Sequence, residues 1–401
     1  MSRASRLARV PLASIIVDNY NYARFLPAAV ESALAQTYPD TEVVVVDDGS
    51  TDASRQVISR YGDHVIPVLK ENGGQTSAFN AGFAASRGQV VCFLDADDLL
   101  LPTALQAASS ILRDRRVAKV HWPLWVIDEQ GRRTGELEPS RPLDGGDLRE
   151  LAIREGPAVY KSAPASGNAF SREFLDRVFP LPDAEHRDAP DGYLIALAPI
   201  FGTIETLPEP QGCYRVHGTN FFHGRTLAEK ARVLVERFEC RAQALSRHLS
   251  EMGVEVDWPV WKERNGFYRW MSDLVAARAD LLALLPPGTR YILVDQCQWG
   301  GEQVAEGRSA VPFATQDGVY RGPPTDDCSA IREVERLRRR GASCIVFWRD
   351  AFWWLDHYRG LARYLHTSTS PALNNDRLIV FDFLADAHMT RPAGSLPCDV
   401  L

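Results

Sequence analysis

The chain has 401 residues, 45% of them hydrophobic and 24% charged. At roughly 150 residues per domain that length suits two or three domains, and the proportions exclude collagen-like, coiled-coil and wholly disordered classes. A net charge of −7 gives no overall pull toward nucleic acid or anionic lipid. The seven cysteines (Cys92, Cys213, Cys240, Cys297, Cys328, Cys344, Cys398) are scattered and form no CxxC pair. They predict neither a zinc site nor a secreted disulfide framework, and they suit a reducing cytoplasm.

In chain order, Met1–Arg9 carries three arginines before a short apolar stretch that ends at Asp18, which reads as a strand and not a signal peptide. No apolar run reaches the roughly 20 residues of a membrane-spanning helix, so any membrane contact is expected to be peripheral. Leu12–Val17 is a buried strand, and Arg24–Gln36 has apolar residues at helical spacing. Glu42–Val46 is a second strand, ended by Asp47-Asp48-Gly49-Ser50. Thr51–Tyr61 follows as a helix with Thr51 or Asp52 as its cap. Val65–Leu69 is a third strand, Asn72-Gly73-Gly74 a turn, Thr76–Ser86 a helix and Gln89–Leu94 a fourth strand. This alternation with short links predicts an α/β fold: a mostly parallel sheet with helices on both faces.

Residues 120–158 read as loops and short strands, and 171–179 and 191–200 as helices. Thr226–Met252 and Trp258–Leu285 read as long helices ended by Pro286-Pro287-Gly288. Beyond lies a second α/β pattern: strand Tyr291–Val294, a glycine-rich stretch to about residue 325, helix Asp326–Arg340, strand Cys344–Trp348, helix Ala351–Leu365 and strand Arg377–Phe383. The expected domains are 1–225, divided into 12–105 and 106–225, then a helical linker 226–285 and a smaller C-terminal α/β domain 286–401.

Ligands of parallel α/β sheets bind at the carboxyl ends of strands. Four polar clusters fall there: Asp18-Asn19-Tyr20, Asp47-Asp48, Asn72-Gly73-Gly74-Gln75 and Asp95-Ala96-Asp97-Asp98. Each alone could be a turn or a helix start. The last places three carboxylates within four residues, and their repulsion calls for a compensating cation. Magnesium or manganese, which shares its shell with substrate phosphates, fits such hard oxygen donors.

The ordered text Ser14-Ile15-Ile16-Val17-Asp18-Asn19-Tyr20-Asn21, Val45-Val46-Asp47-Asp48-Gly49-Ser50, Asn72-Gly73-Gly74, Asn80-Ala81-Gly82 and Leu94-Asp95-Ala96-Asp97-Asp98 resembles the donor half of family 2 glycosyltransferases of the GT-A fold. The resemblance implies that Asp18, Asn19, Tyr20 and Asp48 hold the base and ribose of a nucleoside-diphosphate sugar. It implies that the Asp95-Ala96-Asp97 turn holds the metal on the donor diphosphate, with Asp98 close by. Gly73, Gly74, Gln75 and Asn80 would approach the donor sugar or its phosphates. Where this chain has Asp18, the family usually has a small Thr, Ser or Pro.

On the acceptor side, Asp188-Ala189-Pro190-Asp191-Gly192-Tyr193-Leu194 is similar to the family's acidic motif ahead of a helix. Asp191 takes the position of the base in an inverting transfer, with Asp188 as the alternative; Asp191 as a plain helix cap is compatible with that role. Tyr214-Arg215-Val216-His217 resembles a stretch closing this domain in relatives. It suggests His217 as a metal ligand and Arg215 as a partner of diphosphate oxygens.

The aromatic run Phe347-Trp348 and Phe352–Tyr358 reads as core packing, with a sugar-stacking platform as the alternative. The stretch from Gly341 to Phe383 looks like an accessory domain appended to bacterial glycosyltransferases and methyltransferases. The reading is therefore a cytoplasmic or peripherally membrane-attached sugar transferase using Mn²⁺ or Mg²⁺, with a carbohydrate, lipid-linked or small-molecule acceptor and no nucleic-acid partner. Polysaccharide, glycoconjugate or metabolite glycosylation fits it. The competing readings are a sugar nucleotidyltransferase and an inactive carbohydrate-binding scaffold.

Overall fold

The computed structural model describes residues 10–182, 187–221, 223–300, 304–313, 315–316 and 319–383; Met1–Arg9 and Cys398, read above, lie outside them. The chain divides into two compact units, Met1–His223 with Glu236–Gly266, and Gly224–Val235 with Phe267–Leu401.

The first unit runs β1 (Ala13–Asn19), α1 (Leu26–Leu34), β2 (Thr41–Asp48), α2 (Ser54–Ser59), β3 (Ile66–Lys70), α3 (Gln75–Ala85) and β4 (Val90–Asp95). It continues β5 (Leu99–Leu100), α4 (Ala104–Ile111), β6 (Val117–His121), β7 (Leu124–Ile127), β8 (Arg133–Glu138) and α5 (Arg149–Glu155). It closes with β9 (Asn168–Ser171), α6 (Arg172–Val178), α7 (Pro190–Phe201), β10 (Thr203–Thr206) and β11 (Gly212–Arg215). Seven strands form one sheet in the order β10-β6-β9-β4-β1-β2-β3, and β5-β11-β7-β8 form a second. In the large sheet β1 to β4 run parallel and β10 is parallel to β6, while β9 is antiparallel to both its neighbours. This is a mixed α/β fold with a mostly parallel main sheet, as the GT-A resemblance implies.

β1 is buried at every position and β2 and β4 nearly so, which explains their continuous apolar text. The strands run one or two residues past the expected ends because ladder pairing carries the acids into the sheet. Asp18 pairs in register with Asp95, and Asn19 with Asp47. The cap expected for α2 is corrected: Ala53 occupies that position without a side-chain bond, and Asp52 instead accepts from the Ser54 N–H in a local turn.

α3 lies on β1 and β2 at Gly82, where a methyl group would collide with Ile16 and Val46. Beside it Phe79 stacks on Phe93, both buried, with centroids 4.0 Å apart. Phe79→Ala should therefore cost about 3–5 kcal/mol, read by urea unfolding. A cost under about 1 kcal/mol would show that the layer closes up around the gap.

Helix α8 (Leu227–Glu251) starts in the second unit and ends in the first, and α9 (Trp258–Arg264) follows in the first. The second unit continues with α10 (Gly266–Leu284), β12 (Arg290–Val294), β13 (Ser309–Pro312), the hairpin β14 (Thr315–Gln316) and β15 (Val319–Tyr320), and α11 (Asp327–Arg339). It ends with β16 (Cys344–Trp348), α12 (Trp353–His357), α13 (Arg359–Ser368), β17 (Ser370–Asn374) and β18 (Leu378–Asp382). Its sheet has the order β13-β12-β16-β18-β17.

The helical stretch 226–285 is divided between the two units. Ala228, Ala231, Leu274 and Leu281 pack with Tyr291, Leu293 and Val346 of the second unit, while Trp261 is buried in the first and donates to the Ile153 carbonyl. The helix expected over Trp258–Leu285 breaks at Asn265 (φ −80°, ψ 100°). The one expected over Ala351–Leu365 breaks at Tyr358, whose hydroxyl is held by the Pro324 carbonyl. Phe347, Trp348 and Trp354 are buried in this unit, whereas Trp353 is exposed. Among the described residues no helix is long and apolar enough to cross a membrane.

Candidate functional site

A cleft of about 460 Å³ opens in the first unit at the carboxyl ends of β1, β2 and β4. Asp18, Asn19, Tyr20, Asp48, Gly74, Gln75, Asp95, Ala96, Asp97 and Asp188 line it. Three expected polar clusters thus converge with the turn after β3, because parallel strands present their loops at one edge.

The buried carboxylate of Asp48 accepts from Lys70 Nζ (2.5 Å), Asn72 Nδ2 (3.2 Å) and the backbone N–H groups of Gly73 (3.0 Å) and Gly74 (2.8 Å). It shapes the glycine turn, and Gly74 sits there at φ +91°, a region that favours glycine. Asp47 faces away from the cleft and pairs with Arg55 at 2.8 Å. Asn19 Nδ2 donates to Asp47 and Ser50, tying the first two strand ends together.

Gln75 Nε2 donates to Asp18 Oδ2 (3.1 Å) and to Asp95 Oδ1 (3.0 Å), bridging two carboxyl groups that the sheet register sets side by side. Burial, with the charge of Asp97 adding to it, pushes Asp18 up to about 7. Burial also holds Asp95 well above the carboxylate range, reinforced by Asp18, Asp98 and Asp97. Asp98 is raised for the same reason, burial first and Asp97 next. Its Oδ1 accepts from the Arg215 N–H at 2.8 Å, and its Oδ2 and Asp18 Oδ1 are buried without a hydrogen-bond partner.

One carboxylate oxygen from each of Asp95, Asp97 and Asp98 lies within 4.8 Å of the others. Crowded, partly unpartnered oxygen donors, two of them (Asp95 and Asp98) raised first by burial, suit a hard divalent cation such as Mg²⁺ or Mn²⁺. These residues fit the metal that the family resemblance implies.

One expected ligand sits at the acidic turn and one takes another place. His217 Nε2 lies 2.9 Å from Asp97 Oδ2, and its Nδ1 lies 2.9 Å from Thr219 Oγ1 and 3.2 Å from the Thr219 N–H. The imidazole is thus held against Asp97. The buried Arg215 guanidinium donates to the carbonyls of Asp97 (2.7 Å), Asp128 and Glu129 (3.2 Å each) and does not line the cleft. It braces the acidic turn, so its expected pairing with a diphosphate is corrected. Asn80 likewise is spent on a two-way clamp with the Leu181 backbone.

Ala189 sits at φ +61° just before α7, and Asp191 falls in the first helical turn, where the helix dipole favours a carboxylate. Asp188 lines the cleft and Asp191 does not, although the charge of Asp191 is felt at Asp95. A methyl group at Gly192 would collide with the Arg241 guanidinium, which therefore lies against the turn that carries Asp191.

Sequence reasoning missed Tyr22, Ala78, Arg187, Asn220 and Phe221 of the lining and named Asn72 and Tyr214 only within motifs; Arg187 adjoins Asp188, already singled out. It also missed Lys119. This lysine is fully buried, with Nζ 2.6 Å from Ser162 Oγ, 3.2 Å from Tyr160 Oη and 3.1 Å from His121 Nδ1. Burial holds its pKa well below the lysine range. The folded chain binds this proton less tightly than the unfolded one, so this residue makes stability rise with pH up to the unfolded value near ~10.4. Lys119→Met should remove that rise. Urea unfolding between neutral and alkaline pH should show a slope difference from the parent of at most about 1.4 kcal/mol per pH unit, and equal slopes would refute the assignment.

Residues 14–175 match the family model described as glycosyl transferase family 2. A protein of Nostoc sp. described as an uncharacterized glycosyltransferase is 42% identical over 211 residues, 52% of this chain and 65% of the relative. One of Rickettsia typhi with the same description is 36% identical over 133 residues, 33% of this chain and 42% of the relative. The chain thus spans less than two thirds of these relatives' length. A Staphylococcus aureus TarS structure in complex with UDP aligns at 19% identity and TM-score 0.43, covering 69% of this chain and 85% of that one.

Proposed function

Because residues 14–175 match the glycosyl transferase family 2 model, we propose that the protein moves a sugar from a nucleoside-diphosphate donor to an acceptor hydroxyl with inversion. The observation that carries this reading is the trio Asp95, Asp97 and Asp98, of which Asp95 and Asp97 line a strand-end cleft roomy enough for a nucleotide sugar. These three would hold Mg²⁺ or Mn²⁺, with Asp97 oriented by His217 and the turn braced by Arg215. When bound, the cation offsets the negative charge that develops on the departing diphosphate.

The chain's own residues do the rest. Gln75 and the glycine turn shaped by Asp48 form the wall against which the donor lies. Asp191 takes the proton of the acceptor hydroxyl as its oxygen bonds to the anomeric carbon and the bond from that carbon to the diphosphate oxygen breaks. Asp188 is the second reading for the base, favoured by its place on the cleft lining.

Calorimetric titration of UDP, GDP and dTDP with and without Mn²⁺ tests this. Binding that depends on the metal supports the transferase. No binding of any of the three supports a scaffold that has lost the donor site. The anomeric configuration of the product, read by NMR, decides inversion.

A further inference from the structure

Five aspartates line the cleft, and among the described residues Arg187 is the one cation on that lining. Its side chain crosses the glycine turn: a Cβ at Gly74 would come 2.5 Å from Arg187 Cγ and 2.8 Å from the Arg187 carbonyl oxygen. That carbonyl accepts from the Thr76 N–H at the start of α3, which anchors the segment across the donor wall. The exposed guanidinium donates to the amide oxygen of Asn72 at 2.6 Å, and no described carboxylate lies within ion-pair distance of it. A guanidinium held over an acidic cleft by a neutral partner is poised for an anion that is not part of the chain.

We propose that Arg187 is a donor-binding residue that grips the diphosphate of the nucleotide sugar within the cleft it shares with Asp95 and Asp97. This rests on the donor reading above. A diphosphate brings negative charge into a cleft already rich in carboxylates, and a single divalent cation leaves part of that charge unmatched. The planar guanidinium supplies two parallel N–H donors suited to phosphate oxygens. The segment that carries Arg187 leads directly into α7, so donor binding also engages the turn that presents Asp188 and Asp191.

The test uses the full chain with UDP and GDP as probes, each titrated with Mn²⁺ present. For whichever nucleotide the parent binds, affinity should fall in the order parent, Arg187→Lys, Arg187→Ala, Arg187→Glu. The Ala variant should lose on the order of 10- to 100-fold. Binding of the corresponding nucleoside, followed by saturation-transfer NMR, should show no such order, and the exposed position leaves the melting temperature unchanged. Ala and Glu variants with parental affinity, or losses that do not follow charge, overturn the role of Arg187 while the donor reading stands. A parent that binds neither nucleotide takes down the donor reading itself, and this proposal with it.

Discussion

Asp191→Asn should leave the donor bound and stop the transfer. Asparagine keeps the size of the side chain and its place in the first turn of α7, but it cannot accept a proton. General-base catalysis is typically worth about 10²–10⁴ in rate, so turnover should fall by that factor while affinity for the nucleoside diphosphate stays within about twofold. The measurement is release of nucleoside diphosphate from whichever nucleotide sugar titration identifies, beside calorimetry on the same variant. Near-parental turnover in Asp191→Asn together with a collapse in Asp188→Asn would move the base to the residue that lines the cleft.

Asp97→Ala should do the reverse and abolish binding of the donor with its metal. Asp97 supplies one of three clustered oxygens and is the one aligned by His217. Loss even of a residue that only orients a ligand typically costs 10- to 100-fold in metal affinity, and loss of a ligand itself should cost at least as much, about 100-fold or more. Metal-free stability should change little. Burial first, and repulsion within the trio after it, raises Asp95 and Asp98, so removing one charge is favourable, while the buried His217 loses its partner. The variant should lose the stabilisation that Mn²⁺ gives the parent. Mn²⁺-dependent UDP or GDP binding that survives in Asp97→Ala would place the metal elsewhere.

The two experiments are complementary because the residues act on different terms. Asp97 acts on what is bound, and Asp191 on a proton that moves only during reaction. A single inactive variant would not separate them; the split between binding and turnover does.

The alternation of apolar runs and helical spacing along residues 12–105 was enough to call for a parallel sheet. Strands buried on both faces must be apolar throughout, and their polar ends must fall at one edge. The same logic put Asp18, Asp48, Gly74, Gln75, Asp95 and Asp97 at one place before any coordinate was known, and they share one cleft. Element boundaries were less legible. Asp18 and Asp95 belong to the strands because ladder pairing with a neighbour extends them, and pairing is not written in a local pattern. The breaks at Asn265 and Tyr358 escaped notice because neither residue is proline or glycine; at Tyr358 the hydroxyl is held by a carbonyl 34 positions away.

By itself the sequence determined the fold class, the edge of the sheet that carries the chemistry, and the acidic turn that suits a hard cation. Those depend on spacing along the chain, which period and residue type encode directly. Only the tertiary structure decided which side chains face the cleft and which brace it. His217 came to lie against Asp97, Arg215 to bind three carbonyls and Asn80 to clamp Leu181, while Arg187 came to lie across Gly74. The physical reason is that a polar side chain bonds to whatever the fold brings within about 3 Å, and such partners here lie as far as 120 residues away in the chain.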